Sequence, residues 1–138
     1  MNQLIVKLLF AAAAATSAAS AHAQMIIVSS NVKASEISKS DLKDIFSGAA
    51  STAGSTHVTP ILLKAGPVND EFLSSYIGKS DLAFRTGWRS LVFTGQATMP
   101  RSFESDEAAV DYVAHNPGII AYVSKTAPHD GVKVITVK

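Results

Sequence analysis

The sequence contains no cysteine among its 138 residues, and this absence excludes several classes of site. Disulfide bonds, thiolate zinc ligands, cysteine nucleophiles and lipid anchors on cysteine all need that side chain. An excess of one charge is also missing, because 12 Lys and Arg stand against 11 Asp and Glu. Proteins that bind nucleic acid usually carry a clear excess of basic residues. We therefore expect no nucleic-acid partner.

The sequence also lacks a recognisable catalytic or metal-binding motif. His57, His115 and His129 are widely separated, and none belongs to a known metal-ligand pattern. No serine occupies a Gly-x-Ser-x-Gly turn of the kind that hydrolases use. Most acidic residues fall where first helical turns are predicted, and the helix dipole accounts for them there. The sequence predicts a non-enzymatic protein without a metal ion or cofactor.

The first 23 residues have the pattern of a secretory signal. Lys7 supplies the positive end, residues 8–15 form a short apolar run, and Ala21-His22-Ala23 is a small-x-small cleavage site. The apolar run is too short for a transmembrane helix, which needs about 20 residues. We expect cleavage after Ala23, with cleavage after Ala21 as the alternative. The mature protein is then expected in the periplasm, although full secretion stays open.

Residues 24–138 alternate between strand and helix patterns, and this predicts one α/β domain. The predicted strands are apolar runs at 25–28, 58–63, 119–123 and 132–137. Four helices are expected, and their start signals are Ser38, Gly66-Pro67, Ser80 and Ser105. The small-residue segment 47–56 is expected to be a mobile loop. Trp88 and Val92 are expected on the buried face of the third helix.

Arg85 and Arg89 form the most suggestive polar pair in the sequence. They are four residues apart, so a helix places both on one face. Two guanidinium groups in this arrangement can bind an oxyanion or a carboxylate. A solvated helix face with salt bridges is the alternative interpretation, and both stay open.

Three segments resemble a known family. Segment 40–48, Ser-Asp-Leu-Lys-Asp-Ile-Phe-Ser-Gly, resembles the DL-x-x-IF-x-G signature of phosphate-type periplasmic substrate-binding proteins of ABC transporters. Segment 58–64 resembles the strand that follows it, and segment 116–123 resembles the family's PG-x-I-x-Y strand. The resemblance implies a single lobe of the periplasmic-binding-protein-like (type II) fold, an α/β lobe in which helices flank a mixed sheet.

The resemblance also implies a function. It implies an exported solute-binding protein, with phosphate or another small oxyanion as ligand and a membrane ABC transporter as partner. Ligands of open α/β sheets bind at the strand ends, so we expect the site near the residues that follow or end strands. These candidates are Ser29, Ser30, Lys64, Gly66 and Tyr122, with Arg85 and Arg89 as further contributors.

One departure from the family supports a different function. The family binds phosphate through a Ser-Gly-Thr at a helix N-terminus, and the matching positions here are Gly66, Pro67 and Val68. Both hydroxyl groups are missing, and proline has no N–H to donate. The length is also that of one lobe, whereas capture by closure needs two. The alternative is a single-lobe interaction module that binds a protein partner or forms a dimer.

Overall fold

Residues 24–138 are the part of the chain that the computed structural model describes, so the predicted signal at 1–23 lies outside it. The helices and strands, in chain order, are β1 (Gln24–Val28), β2 (Glu36–Ile37), α1 (Lys39–Phe46), β3 (Thr52–Ala53), β4 (Thr56–His57), β5 (Thr59–Pro60), β6 (Leu62–Leu63), α2 (Pro67–Phe72) with a π-helical turn (Leu73–Ile77), α3 (Asp81–Phe93), β7 (Ser102–Phe103), α4 (Asp106–His115), β8 (Ile119–Ser124) and β9 (Lys133–Val137).

The main sheet has five strands in the order β2-β9-β1-β8-β5. Strand β8 is antiparallel to β1, with Ile26 opposite Tyr122, and parallel to β5, with Pro60 opposite Ile120. Pro60 lies on an edge strand, as a residue without an N–H donor should. Strands β6 and β7 form a separate parallel pair, and β3 and β4 form an antiparallel hairpin. The predicted mixed sheet is confirmed.

Three helices begin at the predicted serine caps. Each serine side chain accepts a hydrogen bond from the backbone N–H three residues later, which satisfies one unpaired donor of the first turn. The pairs are Ser38 with Asp41 (3.0 Å), Ser80 with Ala83 (3.2 Å) and Ser105 with Ala108 (3.1 Å). Within residues 24–138, no helix is both long enough and apolar enough to span a membrane.

Aromatic side chains fill the core between the sheet and α1 and α2. The ring of Tyr122 stacks on that of Phe72 at a centroid distance of 3.9 Å, and Phe46 packs edge-on against both. Trp88 is only 5% exposed and its Nε1 donates a hydrogen bond of 2.9 Å to the carbonyl oxygen of Phe46. Trp88 is therefore the core residue that the sequence predicts. Gly48 is required beside it, because its φ is +84° and a Cβ there would lie 3.2 Å from the indole.

Three local predictions need correction. The segment 47–56 is not a plain loop, since all but the last residue of the β3–β4 hairpin lies in it, and the positive φ of Gly54 allows the tight turn of that hairpin. The predicted strand 58–63 is divided at Ile61 into β5 and β6, which belong to different sheets. Val92 is 40% exposed, because α3 buries only Phe84 and Trp88 and its last turn extends beyond the core.

Candidate functional site

A polar cleft lies where β6 and β7 end. These strands are parallel, with Leu63 opposite Phe103, so their carboxyl ends meet at one edge. Residues 64–66 then lead into α2, and residues 104–105 lead into α4. The N-termini of α2 and α4 therefore lie close together, at the carboxyl ends of β6 and β7. Each helix N-terminus presents backbone N–H groups and the positive end of a helix dipole, a combination that favours an anion.

The space between these helix starts is a cavity of about 300 Å³ that we call the α2–α4 cleft. Its walls come from the ends of β6 and β7 and from the first turns of the two helices. The lining residues are Leu63, Lys64, Ala65, Gly66, Pro67, Val68, Asn69, Glu104, Ser105 and Asp106. The volume is at the lower end of the range for small-molecule sites, so the cleft suits a small ligand.

One ion pair crosses the α2–α4 cleft. The ammonium of Lys64 lies 3.1 Å from a carboxylate oxygen of Glu104, and the two side chains are 57% and 80% exposed. Asp106 adds a second carboxylate to the same wall. Because both partners are exposed to water, the pair contributes little to stability and either side chain is free to exchange its partner. Within residues 24–138, no group of three His, Asp or Glu side chains could hold a metal ion.

A closed ring of hydrogen bonds lies directly behind the α2–α4 cleft, and we call it the polar ring. The backbone N–H of Leu63 donates to the Tyr122 hydroxyl at 3.0 Å, and that hydroxyl donates to Oδ1 of Asn69 at 2.5 Å. The amide nitrogen of Asn69 donates to Asp81 at 2.8 Å. Arg85 closes the ring by donating to Asp81 at 2.9 Å and to the carbonyl oxygen of Leu63 at 2.6 Å.

The polar ring is a structural device that holds the end of β6 in place. Asn69 and Tyr122 are 1% and 0% exposed, and unsatisfied polar groups at such positions would be costly. Burial raises the pKa of Tyr122 to about 12, although the hydrogen bond from the Leu63 N–H acts in the opposite direction. The hydroxyl therefore stays protonated and remains a donor at physiological pH. The N–H and the carbonyl oxygen of Leu63 are both hydrogen-bonded to members of the ring. The polar ring therefore fixes the position of Leu63, where the wall of the α2–α4 cleft begins.

The structure brings some of the predicted site residues together. Lys64 and Gly66 line the α2–α4 cleft itself. Tyr122 and Arg85 lie behind it in the polar ring, with their polar atoms bonded to the protein. Arg85 donates a further hydrogen bond of 3.0 Å to Ser102, so every one of its nitrogens has a partner within the fold. A ligand-binding role for these residues stays a prediction.

The other predicted residues lie elsewhere. The structure does not bring Ser29 and Ser30 to the α2–α4 cleft, because β1 is antiparallel to β8 and ends near the start of that strand. Ser29 is buried there, and its hydroxyl donates to the carbonyl oxygen of Asn116 and accepts from the N–H of Ile119. The side chain of Arg89 is exposed and makes no hydrogen bond or ion pair with another residue of 24–138.

The sequence predictions missed several residues that build this edge. Asn69 and Asp81 complete the polar ring, and Glu104 and Ser105 form a wall of the α2–α4 cleft. Ser105 was expected only as a helix cap. The missing signal is β7, because a strand of two residues is too short to be recognised by periodicity. Without β7, nothing in the sequence pairs residue 104 with residue 64.

Comparisons with known proteins show the fold. No protein-family model matches the chain, and no curated protein matches it. Solved structures do match. An ABC-type phosphate transport receptor from Vibrio cholerae has 13% identity and a TM-score of 0.55, over 83% of this chain and 46% of its own.

Two further structures agree with the first. A putative phosphate ABC transporter substrate-binding protein with bound phosphate, from Clostridium perfringens, has 16% identity and a TM-score of 0.55, over 83% of this chain and 44% of its own. PstS from Borrelia burgdorferi has 14% identity and a TM-score of 0.54, over 84% of this chain and 47% of its own. The chain thus spans less than half the length of each. The predicted fold is confirmed: the chain has the fold of phosphate-type periplasmic substrate-binding proteins and corresponds to about half of one.

Proposed function

We propose that this protein is an exported, non-enzymatic solute-binding protein whose α2–α4 cleft takes a small oxyanion such as phosphate, in connection with an ABC transporter. The observation that carries the proposal is the convergence of two helix N-termini on one lysine, at the shared end of a parallel strand pair. Open α/β folds bind ligands at such strand ends. The structurally similar proteins include a phosphate transport receptor and a protein with bound phosphate.

The ion pair in the cleft supports an anion as the ligand. The carboxylate of Glu104 already lies 3.1 Å from the ammonium of Lys64, next to the first turn of α4. The oxygens of this carboxylate are chemically similar to those of an external oxyanion. They also lie in the position where such an anion would interact most favourably with Lys64 and the start of α4. A ligand therefore competes with Glu104 for Lys64. This competition predicts weak binding, in the micromolar to millimolar range.

The balance of charge in the cleft sets a limit on affinity. Pro67 offers no N–H, and Glu104 and Asp106 repel an anion in the same cleft. Residues 24–138 contain 11 basic and 11 acidic residues, so no overall positive field attracts anions. Attraction has to come from Lys64 and the helix starts alone. One lysine ammonium also contributes less binding free energy to a dianion than a bidentate contact from an arginine guanidinium does.

Calorimetric titration of the purified protein with phosphate, together with thermal unfolding in millimolar phosphate, tests the proposal. Binding is expected to release or absorb measurable heat and to raise the melting temperature, since a ligand above its dissociation constant stabilises the folded state. Sulfate and chloride at equal ionic strength serve as comparison anions. No heat and no thermal shift at millimolar phosphate would disprove oxyanion binding.

Lys64→Ala is the variant that locates the site. It is expected to weaken phosphate binding at least about fivefold, because it removes the only lysine or arginine that lines the cleft among residues 24–138. Lys43→Ala, an exposed lysine on α1, is the matched control and should bind phosphate like the parent protein. Equal losses in both variants would show that binding is unspecific and does not use the cleft.

A second candidate function rests on a different observation. Large apolar side chains are exposed in the last turn of α3 and just after it, namely Val92, Phe93 and Met99. Exposed apolar groups that cluster on one element often mark a surface for another protein. The second candidate is therefore a protein-interaction or dimerisation module, and a protein that ignores phosphate but associates specifically would favour it.

A further inference from the structure

An apolar cavity lies between the edge strand β5, the helices α3 and α4, and the segment 98–101 that leads into β7. Its volume is about 190 Å³. Among residues 24–138, no Asp or Glu lines this cavity, and Arg101 is the one basic side chain that does. An engineered apolar cavity of about 150 Å³ binds benzene. The space is therefore large enough for one six-membered ring.

The walls of the cavity suit an aromatic ring. Trp88 of α3 and Tyr112 of α4 contribute aromatic surface, and Met99 and Ile119 contribute aliphatic surface and a thioether. The indole of Trp88 is held in place, because its Nε1 donates a hydrogen bond to the carbonyl oxygen of Phe46. Contacts between two rings, and between sulfur and a ring, are favourable beyond the area that they bury. The cavity therefore favours an aromatic ring over an alkyl chain of equal volume.

Arg101 places a positive charge at the cavity that the protein itself does not neutralise. Its guanidinium carbon lies 5.1 Å from the centre of the Tyr112 ring and 5.9 Å from the centre of the Phe103 ring. The Arg101 side chain makes no hydrogen bond or ion pair with another residue of 24–138, whereas Arg85 makes several. The contacts with the two rings orient the guanidinium. Its N–H groups stay available for a ligand.

We propose that this cavity binds a small aromatic monocarboxylate, whose ring enters the apolar space and whose carboxylate pairs with Arg101. A guanidinium binds a planar carboxylate through two parallel hydrogen bonds. One negative charge matches the one guanidinium, and the ring covers apolar walls that a bare oxyanion would leave in contact with water. The inference concerns a different ligand and a different place from the oxyanion of the α2–α4 cleft, and it does not depend on that proposal.

The cavity and the α2–α4 cleft are separate sites. Thr59 and Ile119, which begin the parallel strands β5 and β8, line the cavity. The cleft lies beyond the carboxyl ends of β6 and β7, and the two sets of lining residues have no member in common. Phosphate at equal concentration should therefore leave the binding of the aromatic acid unchanged. A failure of one binding activity does not remove the other.

Titration with benzoate, followed by tryptophan fluorescence, tests the proposal. Trp88 is the only tryptophan of the chain and lines the cavity, so its emission reports directly on a ligand there. Benzoate is expected to change the emission with a dissociation constant on the order of 0.1–1 mM, as is typical for a ligand of this size. Acetate, which has the carboxylate without the ring, should cause no change at equal ionic strength. No response to benzoate, or an equal response to acetate, would overturn the proposal.

Arg101→Gln separates the contribution of the charge from that of the ring. Benzamide has the ring without the charge, so the parent protein should bind benzoate at least about tenfold more tightly than benzamide. In Arg101→Gln this preference should disappear, while the exposed position of the side chain leaves the fold and the thermal unfolding temperature almost unchanged.

Lys43→Gln is the matched control, since it removes the same charge from an exposed position on α1. This variant should keep the preference for benzoate over benzamide. A preference that survives Arg101→Gln, or that both variants reduce equally, would show that the carboxylate does not pair with Arg101 and would overturn the proposal.

Discussion

The polar ring and the α2–α4 cleft meet at Leu63, yet they differ in almost every physical respect. In the ring, Tyr122 and Asn69 are almost fully buried and every contact is a hydrogen bond within the protein. In the cleft, Lys64 and Glu104 are more than half exposed and share one solvent-screened ion pair. Polar and charged side chains therefore have different roles in the polar ring and in the α2–α4 cleft. The ring holds the architecture, whereas the cleft has side chains free to bind something else.

Arg85→Ala is expected to have the largest effect on stability. It leaves the Leu63 carbonyl oxygen without its partner and leaves the Asp81 carboxylate with only the Asn69 amide, in a region where the Arg85 and Asp81 side chains are 14% and 27% exposed. Removal of one member of a largely buried ion pair is typically costly, so the free energy of unfolding should fall by about 2–3 kcal/mol in urea titrations, somewhat less than for a fully buried pair. Arg89→Ala, one turn along the helix and exposed, should change it by less than about 0.5 kcal/mol. Similar values for the two variants would contradict the polar ring.

Tyr122→Phe should have the next largest effect. The substitution keeps the stacked ring but leaves the Leu63 N–H and Asn69 Oδ1 unsatisfied in the core. A loss of about 2 kcal/mol is expected, since each buried unpaired group costs about 1–3 kcal/mol and water offsets part of it. Tyr76→Phe is the control, because the Tyr76 hydroxyl has no hydrogen-bond partner among residues 24–138 and lies partly in solvent. A loss in the control as large as in Tyr122→Phe would contradict this role.

The same hydroxyl predicts a dependence of stability on alkaline pH. Burial raises the pKa of Tyr122 to about 12 from the ordinary value of 10.0, so the folded state holds a proton that the unfolded state has released. The contribution is complete below pH 10 and is lost as the pH rises toward 12, by about 2–3 kcal/mol in all. The stability advantage of the parent protein over Tyr122→Phe should therefore shrink across this range. A constant difference from pH 9 to 12 would exclude the raised pKa.

Much of the fold could be predicted because local signals agreed with the tertiary structure. The caps at Ser38, Ser80 and Ser105 act within three residues of sequence, so no distant contact was needed to locate them. The apolar run of β8 is buried from Ile119 to Val123, as expected for a central strand. The two-residue strands escaped prediction, because such short segments are defined by pairing with a partner and carry no periodic pattern of their own.

The candidate site was predictable only in part, since strand direction decides which residues meet. Ser29 follows a strand, as a ligand-binding serine would, but the antiparallel pairing of β1 places it at the far end from Lys64. Arg85 and Arg89 look alike in sequence, and only packing against β6 gives Arg85 a structural role. Spacing along a helix cannot show which face meets the sheet. The sequence therefore located strand ends without showing which ends lie together.

Glu104→Gln should have the smallest effect on stability and is the sharpest test of the cleft. The Lys64–Glu104 pair is exposed, so the free energy of unfolding should change by less than about 0.5 kcal/mol. Phosphate affinity, in contrast, should rise about two- to fivefold in calorimetry, because the neutral amide no longer competes for Lys64 or repels the ligand. Glu36→Gln, which removes an exposed carboxylate near Lys138, should leave the affinity unchanged. If Glu104→Gln weakens binding instead, the glutamate takes part in holding the ligand, and the cleft is then not a simple anion site.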